Sequence, residues 1–202
     1  MSKAVLISIH PKWCELIANG KKTIEARKNK PKLYAPFKCY IYCTKGNPKD
    51  PHELLEIHGS DGKIRKTNGM VMGEFVCDKI YPINVFENGT IQDWNYHDLQ
   101  AACVPYDDMS AYIGAGRTGR AWHISDLVIY DTPKELGEFI PVCRYGQDGE
   151  CAGVAKVDCP FQKRDYNPDG GINIVDCTKR VSRAPQSWCY VEELTEGGTD
   201  NE

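Results

Sequence analysis

Nothing in this 202-residue chain approaches the roughly 18 consecutive apolar residues that a membrane-crossing helix needs. Its beginning, Met1-Ser2-Lys3-Ala4-Val5, has neither the apolar stretch nor the small-residue cleavage site of a secretory leader, so a cytoplasmic location without membrane contact is the expectation. There is no Gly-x-x-x-x-Gly-Lys loop, and no Gly-x-Gly-x-x-Gly follows a strand-like run, which argues against ATP-driven and dinucleotide-dependent chemistry. Ser8 and Ser187 have no His and acid partners in a motif context, so a serine-nucleophile reading is poor. No carboxylate cluster suits a metal-assisted nuclease, and no internal repeat or low-complexity tract is present. Cysteine is plentiful at ten residues, yet no two are spaced as a C-x2-C knuckle.

What is present is the composition of an ordinary globular protein, and the length favours one domain over two. Charge is unevenly distributed. Between residues 12 and 49, nine Lys and one Arg face only Glu15 and Glu25, a local balance of +8 in a chain whose net charge is −3. A basic face on an acidic body can hold a few phosphates while discouraging indiscriminate coating of long nucleic acid. The plainer alternative, lysines that only keep the surface soluble, remains open.

Along the chain, β-branched Val5 to Ile9 predicts a buried first strand, and Pro11 starts a short helix whose Trp13, Leu16 and Ile17 share one face. Asn19-Gly20 supplies the helix stop. Strands follow at 23–27, 39–43, 70–76 and 79–86, an Asn88-Gly89 turn, two short helices at 96–103 and 107–113, and strands at 121–124, 127–130 and 186–194. Residues 45–69 read as a polar excursion loop with one helical turn at Leu54 to Ile57. A further helical turn is expected from Pro133 to Phe139. Strands outnumber helices and no regular βαβ alternation occurs, so a mixed, curled antiparallel sheet is favoured. Residues 141–180 lose apolar periodicity and carry Cys143, Cys151, Cys159 and Cys177 at C-x7-C-x7-C-x17-C spacing, and the acidic residues 195–202 read as a disordered tail.

The stretch of greatest interest is Gly20-Lys21-Lys22-Thr23-Ile24-Glu25-Ala26-Arg27. Period-two geometry sets Thr23, Glu25 and Arg27 on one face of a strand and Ile24 and Ala26 on the other. Lys22 joins the polar side only if the turn after Gly20 redirects it. A carboxylate between two cations can fix itself by charge-assisted hydrogen bonds and still present donors and acceptors to a ligand, and a solvated surface ion pair is the bland alternative.

The octet fits Gly-x-Lys-x-x-Glu-x-Arg and resembles the signature of the ASCH domain, a relative of the PUA-like RNA-binding modules. Ile7-Ser8-Ile9-His10-Pro11-Lys12, Val71-Met72-Gly73-Glu74-Phe75 and Ala121-Trp122-His123-Ile124 extend the likeness in order, over about residues 4–140, with 184–194 as closing strand. The resemblance implies an α+β, PUA-like curled antiparallel β-barrel with peripheral helices, here carrying a Cys-rich insert, and its wider kinship is with small bacterial and phage proteins. It also implies a cleft for RNA or a modified nucleoside, bounded by Lys22, Glu25 and Arg27, with Trp122, His123, Ser8 and His10 near it. Bases are read by aromatic stacking and edge hydrogen bonds, and Trp13, Tyr40, Tyr42, Trp122 and Trp188 are the candidate platforms, each also a candidate core residue.

Some ASCH proteins hydrolyse N4-acetylcytidine through a Lys, a Thr three residues later and a distant Glu. Here Lys22 matches the Lys but Glu25 stands where the Thr is expected, so a catalytic set would reduce to Lys22 and Glu25. A ribonuclease and a protein that sequesters a nucleotide-like ligand without turnover are further alternatives, and a protein partner is not legible. No cofactor is required. The four insert cysteines are candidates for a structural zinc, for reduced thiols or for disulfides.

Overall fold

Strand β1 (Lys3–Ile9) is central because both of its faces are buried. Val5, Ile7 and Ile9 enter one apolar cluster, while Ala4 and Leu6 enter a second on the other side. In the computed structural model, which describes residues 2–47, 49–50, 53–94, 96–142, 162–166, 172–177 and 179–194, helix α1 (Pro11–Ala18) follows β1 and leads to β2 (Ile24–Arg27) and β3 (Phe37–Cys43). A hairpin of β4 (Glu56–His58) and β5 (Ile64–Lys66) precedes β6 (Val71–Cys77), β7 (Ile80–Val85) and β8 (Ile91–Gln92). Helices α2 (Tyr96–Ala102) and α3 (Tyr106–Ile113) come next, then β9 (Thr118–His123), β10 (Ser125–Lys134) and a 3-10 turn at Leu136–Glu138. A second hairpin, β11 (Gln162–Tyr166) with β12 (Ile172–Cys177), precedes β13 (Trp188–Glu192).

Two larger sheets result, one ordered β10-β6-β3-β1-β13 and the other β2-β9-β7-β8. The mostly-strand α+β class is as the pattern indicates, and β13 closes against β1 in antiparallel register from Lys3↔Glu192 to Ile7↔Trp188. The expected mixed, curled antiparallel sheet is mixed at β1. β1 and β3 run parallel, Val5↔Cys39 to Ile9↔Cys43, because the chain crosses over through α1 and β2 before returning, which a parallel neighbour requires. Among the described residues, no pairing closes the two sheets into one barrel.

The 45–69 excursion also differs. Leu55 and Ile57 are buried while Glu56 is exposed, a period of two that builds β4 where a helical turn was expected. Asn68 pins the entry to this hairpin, its Oδ1 accepting from Leu55 N at 2.8 Å and its Nδ2 donating to Glu53 O at 2.7 Å.

One glycine in the first sheet is fixed by close approach. A Cβ on Gly73 would collide with the Val128 carbonyl oxygen, where β10 pairs with β6. Gly73→Ala is therefore expected to cost about 1–3 kcal/mol as overpacking, read as a lower midpoint in urea unfolding at unchanged slope.

The sheets share a core. Trp122 and Ile124 lie in the same cluster as Val5, Ile41 and Phe75. On the other side of the second sheet, Ile24, Ile83 and Ala121 pack with Ala102, Met109 and Ile113, so α2 and α3 are its cover.

Candidate functional site

The site begins at the end of α1. Gly20 takes a left-handed conformation, φ +68°, and both Lys21 N and Lys22 N donate back to Leu16 O, at 2.9 and 3.0 Å. That turn redirects Lys22. Its Nζ donates to Ala102 O at 2.6 Å, at the end of α2, and lies 3.4 Å from Glu25 Oε2. Glu25 Oε1 is 3.0 Å from Arg27 Nη2, which also donates to Ser8 O at 2.6 Å, while Nη1 reaches Ser187 Oγ at 3.4 Å. The three residues are only 2%, 6% and 8% exposed, so this is a buried ionic row and not a solvated surface pair. Arg27 Nε is buried without a hydrogen-bond partner.

The row borders a cavity of about 370 Å³ at the free edge of β2. Ser8, His10 and Trp13, on β1 and around the start of α1, line it, as do Val104, Asp108, Met109 and Tyr112, before and along α3. Lys12 and Lys22 hold their ammonium groups 4.8 and 5.1 Å from the Trp13 ring centre, and Lys28 lies 5.2 Å from that of Tyr112. Burial pushes the Tyr112 hydroxyl above its ordinary value, with nearby Arg27 opposing.

Of the residues expected at the site, Ser8, His10, Lys22, Glu25 and Arg27 border one cavity. Ser8 Oγ is bound to Pro185 O at 2.7 Å, and exposed His10 places Nε2 3.4 Å from Glu53 Oε1. Trp122 and His123 do not join them. Trp122 is fully buried, packed edge-on to Phe37 at 5.8 Å and tilted against Trp188 at 6.2 Å. It pairs with Glu25 across β2 and β9 and shares that face, but lies under core side chains and not on the cavity. His123, one residue on, points to the opposite face. Its Nδ1 is 2.6 Å from Asp78 Oδ1. Tyr40 and Tyr42 are buried core residues, and half-buried Trp188 packs between Trp122 and Tyr190 and does not line the cavity.

The Asp78–His123 pair makes a pH prediction. The His123 hydrogen bond holds the Asp78 carboxyl below its usual value, so this contribution is present above the ordinary carboxylate range and is lost as pH falls through the lower folded value. Asp78→Asn should therefore flatten the dependence of the urea midpoint on pH as the pH falls through and below the ordinary carboxylate range.

The candidate zinc ligands Cys143, Cys151 and Cys159 lie outside the described residues, as does the side chain of Cys177. Among the described residues no group of His, Cys, Asp or Glu is arranged to hold a metal. Cys14, Cys39, Cys43 and Cys77 are buried free thiols, and burial pushes Cys77 up to about 12. The α3 wall was not anticipated. Its only signal in the sequence is the four-residue spacing of Asp108 and Tyr112, which places them on one helical face without saying what that face meets.

Fold and site together define an α+β domain with a charged cavity of about 370 Å³ at a sheet edge. The profile of the ASCH domain matches residues 7–115, more than half of the chain, and the chain belongs to the ASCH domain family. The crystal structure of ASCH from Zymomonas mobilis is similar at 20% identity, over 66% of this chain and 73% of that one, with a TM-score of 0.46. Two single-substitution mutants of that protein are similar at 18% and 19% identity, over 67% and 66% of this chain and 77% and 74% of theirs, with TM-scores of 0.45 and 0.44. No curated protein matches the chain. No helix among the described residues is long and apolar enough to cross a membrane.

Proposed function

We propose that the cavity binds a single unpaired nucleobase, presented by an RNA strand or as a modified nucleoside. The observation that carries this is the row Lys22–Glu25–Arg27, three ionised side chains all but sealed from solvent yet bordering a cavity of about 370 Å³. A buried ion pair stabilises a fold no better than apolar residues of similar volume, so stability alone does not account for three of them. A polar ligand does, and the volume falls within the range of small-molecule sites. Tyr112 offers a flat wall, and the exposed Lys12 and Lys28 beside the two aromatic residues suit flanking phosphates. The core shared by the two sheets supports reading them as halves of a PUA-like curl.

Binding is favoured over turnover. Among the described residues, no hydroxyl is hydrogen-bonded to Lys22 or Glu25, and Thr23 does not border the cavity. The test is tryptophan fluorescence with nucleosides, N4-acetylcytidine and short RNAs at two salt concentrations, with product analysis alongside. Saturable quenching without product is expected; release of acetate or cut RNA would establish the hydrolase instead, and the absence of quenching by every probe would reject the pocket. For a pentanucleotide, the slope of log K against log salt should shrink by about 0.7 for each phosphate contact removed, so Lys12→Ala with Lys28→Ala is expected to reduce it by up to about 1.4.

A further inference from the structure

The hydrogen-bonding inventory of the cavity narrows the base, an inference that rests on the nucleobase reading above. Each Glu25 oxygen is engaged once, Oε2 by Lys22 and Oε1 by Arg27. A carboxylate offers about four lone-pair sites on its two oxygens, so acceptor capacity remains on both. Lys22 directs one N–H to Ala102 O and one toward Glu25, leaving a third. Both Nη2 hydrogens of Arg27 are taken, by Ser8 O and Glu25, while Nη1 has only the long contact to Ser187 Oγ. Across the row the order is donor, acceptor, acceptor, donor.

The complementary ligand edge reads acceptor, donor, donor, acceptor. Guanine has that edge in O6, N1–H, N2–H and N3. Cytosine and adenine set one exocyclic amine beside a ring acceptor, so the second Glu25 oxygen would face a lone pair. Uracil has one N–H between two carbonyls and meets the same opposition. In a buried site an unmatched polar group is what discriminates most strongly between ligands. The charged residues bordering the cavity, Lys22 and Arg27 against Glu25 and Asp108, balance formally, which suits a neutral base better than a free phosphate or a cation.

We propose that the pocket reads guanine, with both Glu25 oxygens accepting from N1–H and N2–H, Lys22 donating to O6 and Arg27 donating on the N3 side. The test is calorimetric titration of the intact chain with guanosine, inosine, adenosine, cytidine and uridine, and with pentauridylates carrying one central G, I, A or C. Guanosine, or the G-containing oligomer, should bind tightest, and inosine, which lacks the N2 amine, at least tenfold more weakly. Inosine equal to guanosine, or any other base binding as tightly, overturns the guanine assignment and leaves the base-binding pocket standing. No saturation with any probe overturns both. Glu25→Gln replaces one acceptor by a donor and is expected to abolish the preference, with circular dichroism to confirm folding; the inosine comparison on the unaltered chain decides the matter even if that variant does not fold.

Discussion

Glu25→Ala is expected to lower the free energy of unfolding by about 3–5 kcal/mol, the largest effect anticipated for any single change near the cavity. The substitution leaves two cations, Lys22 and Arg27, buried at 2% and 8% exposure with no carboxylate between them. Removing one partner of a buried pair costs far more than the pair is worth, because the remaining charge stays desolvated. Urea unfolding at neutral pH measures the loss directly. A companion variant separates this penalty from the worth of the row: Lys22→Met, Glu25→Leu and Arg27→Met together should return most of the lost stability while binding disappears. If Glu25→Ala unfolds within about 0.5 kcal/mol of the unaltered chain, the three ions do not act as a unit.

Trp122→Ala should be comparably destabilising, by about 3–5 kcal/mol, for an unrelated reason. Its ring is fully buried between Phe37 and Trp188 and joins the sheets through one apolar cluster, so truncation leaves a void that close-packed neighbours fill only in part. Ligand affinity, measured on the folded fraction, should be unchanged, since the ring does not border the cavity. Trp122→Phe provides the milder comparison. Were it to keep its stability but lose tenfold or more in affinity, the indole would belong to the binding machinery after all.

These two residues also show what the sequence could and could not disclose. The face shared by Glu25 and Arg27 follows from strand alternation alone, and the reorientation of Lys22 follows from the left-handed Gly20. Alternation also forbids Trp122 and His123 from serving the same side, a conflict visible in the sequence once strand β9 is granted. Which of the two lies toward Glu25 depends on register, Glu25↔Trp122, and register is set by pairing between segments nearly 100 residues apart. The parallel β1–β3 pair was hidden for a related reason: each strand reads as buried, and burial carries no sign of direction. Tyr112 was missed because an amphipathic helix announces a face but not its neighbour.

The row at β2 is spelled by six consecutive residues, but the cavity is not local. Ala102 O receives the Lys22 ammonium, Ala101 O receives Thr23 N–H, and Pro185 and Ser187 hold Ser8 and Arg27 from the far end of the chain. During synthesis the octet therefore emerges long before two of the groups that hold it in place: a nascent chain that stops short of Pro185 would carry the whole motif while Ser8 Oγ and Arg27 Nη1 still lacked these partners.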